Sequence, residues 1–242
     1  MTAHRHHRIR IYKTWWHLAV TFLLVLLPLV FLTTFAGVTH FGIAQLFGEL
    51  GTSIVRLGIA YAVAALLGWG WAIMFYRGKA ATLALPIFDV LQSFPTFAAL
   101  PLATYLWGRT DSTVIIFLVI TIIWPIFFST ISNLRLIKHD WEESAQIFGL
   151  HGFTYLRFFL LPISIPGLIT GSIIGLGEGW EALVATEIIV NVRDGMGNFF
   201  QTFSQNATMT SFGILGLLLL IFSINKIIWI PLLDWSHRLM EE

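Results

Sequence analysis

Several apolar runs of about twenty residues, almost free of charge, recur along this chain. Each is long enough to cross a hydrocarbon core of roughly 30 Å. Lipid offers no water to satisfy backbone groups, so runs of this kind must be helices, and the strand alternation of a barrel is absent. Charged residues make up only 11% of the 242 positions, too few to clothe a soluble domain of this length. The expected fold is all-α and polytopic, with residues 1–242 forming a single transmembrane domain. A formal net charge of +1 gives no electrostatic case for nucleic acid. The lack of cysteine excludes disulfides, thiolate metal sites and thiol catalysis.

Six transmembrane helices are expected, near 16–36, 55–76, 82–106, 112–131, 163–188 and 211–233. The basic segment His4-Arg5-His6-His7-Arg8-Ile9-Arg10 suits a signal peptide. The apolar run behind it, Trp16 to Phe35, is too long for an h-region and no small-x-small site follows, so the reading is a retained signal-anchor. The polar stretch from Thr39 to Thr52 is expected to hold a short interfacial helix. Lys and Arg placement sets the orientation. Arg5, Arg8, Arg10, Lys13, Arg77, Lys79, Arg135, Lys138, Arg157 and Arg238 gather on one side, against Arg109, Arg193 and arguably Arg56 on the other. Both termini and the loop at about 133–161, between the fourth and fifth spans, are therefore expected in the cytoplasm of a multi-pass cell-membrane protein.

That loop is the most polar part of the interior of the chain. Asp140 with Glu143 three residues on reads as a capping-box start, with acids at the positive end of a helix. Trp141, Ala145 and Phe148 fall at helical spacing as one apolar stripe. Gly149 and Gly152 end the helix, and Phe153 to Leu161 is expected to form a second one before Pro162. The product would be a helix-turn-helix across the membrane surface, presenting aromatics rimmed by acids (Glu142, Glu143) to another protein. The competing reading is an amphipathic helix lying on headgroups, but such helices favour basic polar faces.

The segment Glu143-Ser144-Ala145, three residues, Gly149, nine residues, Phe159-Leu160-Leu161-Pro162 resembles the EAA motif of binding-protein-dependent ABC-importer permeases. Ser144 stands for the first Ala and Phe159 for Ile. Gly179-Trp180-Glu181-Ala182-Leu183-Val184-Ala185-Thr186-Glu187-Ile188-Ile189 with Gly195-Met196-Gly197, and Leu85-Pro86-Ile87-Phe88-Asp89 through Pro95 to Leu100-Pro101-Leu102, are similar to the nitrate, sulfonate and taurine branch. The resemblance implies a permease subunit that is not an enzyme and holds no cofactor, ATP being used by a partner. It implies two ATPase subunits gripping a coupling helix (Trp141, Glu142, Glu143, Ala145, Phe148, Gly149, Gly152). It also implies a second permease copy or paralogue, an external or periplasmic binding protein, and a small anionic substrate of the nitrate, sulfonate, taurine or bicarbonate class.

Polar groups inside the spans are the candidates for a translocation path or gate. Asp89, Gln92, Ser93 and Thr96 make a polar stripe in the third span, and Pro95 is expected to kink it. Gly167, Gly171, Gly175 and Gly179 form a small-xxx-small ladder in the fifth, where another helix can approach closely. At 100° per residue, Glu178 and Glu181 project within about 40° of Gly167, which reads as the packing face, and Glu187 lies opposite. Depth leaves two roles open for this glutamate pair: lining the path, or sitting in water near the outer interface. Carboxylates in the path would repel an anion. Asp89 and Lys226 each lie about seven residues from a cytoplasmic end, so a pair between them is expected.

No G-x-x-x-x-G-K-[ST], H-E-x-x-H or G-x-S-x-G segment is present, and no nucleophile has an evident base. His4, His6 and His7 read as incidental residues of a tail and no metal site is expected. Two rivals remain beside the permease: an ion-coupled secondary transporter, favoured by Asp89, Glu178 and Glu181, and a non-transporting membrane scaffold, disfavoured by the polar stripes.

Overall fold

The structure is a computed structural model. It describes residues 43–241 and, before them, residues 19, 20, 22, 23, 26, 27, 30, 31, 33–35 and 37; at 43 and 237–241 it describes the backbone alone. His4, His6 and His7 lie outside the described residues, as does much of the expected span 16–36, whose described positions are helical.

All regular structure among the described residues is helical. In chain order the elements are α1 (Ile43–Phe75), α2 (Gly78–Gln92), α3 (Thr96–Trp107), α4 (Asp111–Leu134) and α5 (His139–Ile147). There follow α6 (Gly152–Val190), α7 (Met196–Thr202), α8 (Ala207–Ile224) and α9 (Ile230–Glu241). Four helices among the described residues are long and apolar enough to cross a membrane, Ala44–Phe75, Asp111–Leu134, Gly152–Val190 and Ala207–Ser236; α2 and α3 make a fifth if the bent pair counts as one span.

Three expectations change. The interfacial helix expected at Thr39–Thr52 is absent as a separate element, because from Ile43 the chain is already part of the 33-residue α1. No Pro or positive-φ glycine interrupts residues 43–75, so polar Thr52 and Ser53 are carried inside one continuous helix. The third span, expected over 82–106, is broken: α2 and α3 meet at 80°. Pro95 supplies no N–H, and the connection closes instead with the Phe94 N–H donating to Leu91 O and the Thr96 N–H to Phe94 O. The helix expected from Phe153 to Leu161 is not a surface element, because it continues into the fifth span. A π-turn at Leu156–Leu160 precedes Pro162, and its wider i→i+5 pattern makes room for a residue that cannot donate.

The chain forms two compact units, one of residues up to Phe47 with Phe203–Pro231, the other of Gly48–Thr202 with Leu232–Glu242. In the first, Phe212 of α8 sits between Phe31 and Phe35, with ring centroids 5.6 and 5.0 Å away. In the second, α4 packs along α6. A Cβ at Gly171 would lie 2.6 Å from Ile126 Cα, and one at Gly167 2.8 Å from Thr130 Cα. Gly175 and Gly179 rest on Ile122. Only hydrogen fits at this seam, so the backbones come close enough for extensive van der Waals contact. Hydrogen bonds fix α1 to α6: Trp69 Nε1 donates to Ser164 Oγ (2.8 Å) and Tyr61 OH to Ser172 Oγ (3.0 Å).

Candidate functional site

The α2–α3 elbow opens a cavity of about 700 Å³ against α4 and α6. The elbow contributes Gln92, Ser93, Phe94, Pro95 and Thr96; α4 contributes Thr121, Trp124 and Phe128; α6 contributes Glu178. Phe88 holds α2 in place by stacking on Trp71 (5.7 Å) and meeting Phe127 edge-on (5.0 Å). The cavity thus unites Gln92, Ser93, Pro95, Thr96 and Glu178. It does not gather Asp89, which is exposed on α2 and accepts from Gln92 Nε2 at 3.2 Å, nor Glu181. Lys226, in a π-turn at Asn225–Trp229, belongs to the other unit.

Glu178 and Glu181 are exposed, not buried on the glycine seam. The ladder explains why. Steps of four residues rotate the seam by about 40° each, so by Gly179 it has turned about 120° from Gly167 while Glu178 and Glu181 have not followed.

At the far side of the α4–α6 pair, α5 hangs in the loop before α6. Ala145 and Glu142 face inward, whereas Ile147 and Phe148 are more than 80% exposed and Trp141 is 43% exposed. The expected stripe of Trp141, Ala145 and Phe148 is therefore split, with Ala145 on the anchoring face. The helix begins two residues earlier than a cap at Asp140 requires: Lys138 is the N-cap, no side chain caps it, and Asp140 lies inside the first turn. Glu143 is exposed and contacts His139 at 3.1 Å. Glu142 turns toward the bundle, where Arg77 and Tyr155 donate to its two oxygens. The helix stops because Gly149 adopts φ +76°, which lets its N–H reach Gln146 O (2.9 Å) and the Leu150 N–H reach Ala145 O (3.0 Å). Gly152, at φ +54°, turns the chain into α6.

At the opposite end, about 32 Å along α1 from Arg77, lies a buried ionic network that sequence reasoning left unconnected. Arg56 and Glu187 are 4% and 0% exposed. Arg56 Nη1 donates to Glu187 (2.7 Å) and to Asp194 O (2.7 Å), while Nε and Nη2 donate to Asp111 (3.1 and 2.7 Å). Glu187 also accepts from Ser53 Oγ (2.8 Å) and the Gly197 N–H (2.8 Å). A Cβ at Gly195 would lie 2.6 Å from both Arg56 and Glu187, so the Gly-Met-Gly segment is glycine where it wraps the pair. The signal was available in two ionisable residues of opposite sign inside long apolar runs, each of which needs a partner.

A family model described as "Binding-protein-dependent transport system inner membrane component" matches residues 64–234, which include the elbow, the α5 loop and the glycine seam. The chain belongs to this family. Among relatives, this chain is 30% identical over 181 residues to the nitrate import permease protein NrtB of Synechocystis sp., a match covering 71% of this chain and 65% of the relative. It is 31% identical over 172 residues to the taurine transport system permease protein TauC of Escherichia coli, covering 71% and 62%. It is 28% identical over 163 residues to the bicarbonate transport system permease protein CmpB of Synechococcus elongatus, covering 66% and 59%. The matches thus span somewhat less than two thirds of these relatives' lengths. The chain is a multi-pass membrane protein of this family, similar to permease proteins named for nitrate, bicarbonate and taurine.

Proposed function

We propose that this chain is the transmembrane subunit of an ABC importer, with the elbow cavity on its translocation path and α5 as the helix that couples to a separate ATPase. The observation that carries the reading is α5 itself. It exposes Ile147, Phe148 and part of Trp141 in a loop, while Arg77 and Tyr155 tie its Glu142 to the ends of α1 and α6. Exposed aromatics on a tethered helix suit a groove on another protein, and the tether would carry displacement of that helix into the spans. In this reading α5 and both termini face the cytoplasm, as the placement of Lys and Arg requires. Two copies, or this chain and a paralogue, complete the path. A binding protein delivers a small solute bearing an oxyanion, the class named in the relatives' descriptions.

The test is co-purification with an ATPase subunit. Binding should be lost in Ile147→Asp and in Phe148→Asp, which change exposed side chains and leave the inward face of α5 intact. ATPase binding unchanged in both variants would remove the coupling role. Uptake into vesicles that lack any ATPase would favour the ion-coupled rival, which Glu178 in the cavity supports.

A further inference from the structure

We infer that the elbow cavity receives the ammonium group of its solute, so that the transported molecule is an amine or an amino-oxyanion and not a bare inorganic oxyanion. This rests on the reading of the cavity as the path.

The argument concerns where the hydrogen-bond donors of the lining are spent. Ser93 Oγ donates to Asp89 O (3.0 Å), Thr96 Oγ1 to Phe94 O (3.2 Å) and Thr121 Oγ1 to Phe117 O (3.0 Å). A hydroxyl has one hydrogen, so each of these oxygens offers only lone pairs to the cavity. Gln92 commits one N–H to Asp89. Glu178 is an acceptor with no hydrogen-bonding or ion-pair partner among the described residues, and none of the described lining side chains is cationic. Trp124 and Phe128 also line the cavity, and aromatic rings attract cations through their electron-rich faces. Among the lining side chains, acceptors therefore outnumber the donors that remain free.

A nitrate or bicarbonate ion needs donors and positive charge, and this surface would meet it with lone pairs and a carboxylate. An ammonium group carries three donors and no acceptor, so it matches the same surface. An amino-oxyanion satisfies both this cavity and the oxyanion of the relatives' named solutes, with its anionic end directed away from Glu178.

The test uses the full-length chain in lipid nanodiscs, titrated calorimetrically with ethylammonium, taurine, nitrate and bicarbonate, against Glu178→Gln, Glu178→Asp and Thr121→Trp, each checked for folding by size exclusion. Ethylammonium and taurine should bind. Glu178→Gln should weaken them about tenfold or more, the loss of one charged hydrogen bond. Glu178→Asp should recover part of the loss, and Thr121→Trp, which fills the cavity, should abolish binding. Nitrate or bicarbonate binding that Thr121→Trp abolishes and Glu178→Gln leaves alone or strengthens would overturn the ammonium assignment and keep the path. Ammonium binding indifferent to Thr121→Trp would overturn the path reading as well. No ammonium binding by the unaltered chain would overturn the assignment.

Discussion

Two polar regions of the α1–α7 bundle are built from the same kinds of residue and end in opposite states. Around Glu187, the buried charges have partners: Arg56 serves two carboxylates and a carbonyl, and Ser53 and the Gly197 N–H complete the set around Glu187. Around Glu178, the carboxylate has no partner among the described residues, and three lining hydroxyls donate to backbone carbonyls without accepting a hydrogen bond. A buried charge must be paired to be tolerated, so the first region is a structural clasp. A cavity whose acceptors remain unspent keeps its binding capacity for something that enters it. The contrast assigns stability to one glutamate and recognition to the other, although they stand nine residues apart on one helix.

The largest effect should come from breaking the clasp. Arg56→Leu or Glu187→Leu alone leaves one buried charge unpaired and should destabilise the chain by about 3–5 kcal/mol, read as lost yield and a lowered unfolding midpoint in detergent. The double variant should be closer to the parent than either single one; additive losses would show that the two groups act independently. Next is the seam. Gly171→Leu forces a side chain into Ile126 and should cost about 1–3 kcal/mol, or more if α4 cannot shift. Arg77→Ala should cost only about 1 kcal/mol, because Arg77 is partly exposed, yet it should lower solute-stimulated ATP hydrolysis by slackening α5. The smallest structural effect belongs to Glu178→Gln, with a stability change within about 0.5 kcal/mol. A large stability loss there would erase the distinction between the regions.

These regions also mark what the chain discloses of itself. Span positions were readable because hydrophobic length is a one-dimensional property: α1, α4, α6 and the stretch from Ala207 cover the expected runs, each longer than read. The glycines at 167, 171, 175 and 179 announced a close approach. Their slow rotation around α6 is lost in a projection anchored at Gly167, which puts Glu178 and Glu181 on the seam although both are exposed. Pro95 signalled a bend, but a bend of 80° depends on how Phe88 is held by Trp71 and Phe127, which are remote in sequence. Arg56 and Glu187 were each visible as a charge in an apolar run, while their pairing spans 131 residues and needs the fold. The inward turn of Glu142 was hidden for the same reason, since Arg77 lies 65 residues away.

The central claim, that a solute passes the elbow cavity under control of an ATPase acting on α5, is tested most directly by a single cysteine at Thr121, because the chain has none of its own. In vesicles holding the assembled transporter, labelling of Thr121→Cys by a membrane-impermeant maleimide from one side should switch on adding ATP, and Phe148→Asp should abolish the switch. Labelling that is the same with and without ATP, in a complex shown to hydrolyse it, would contradict the account.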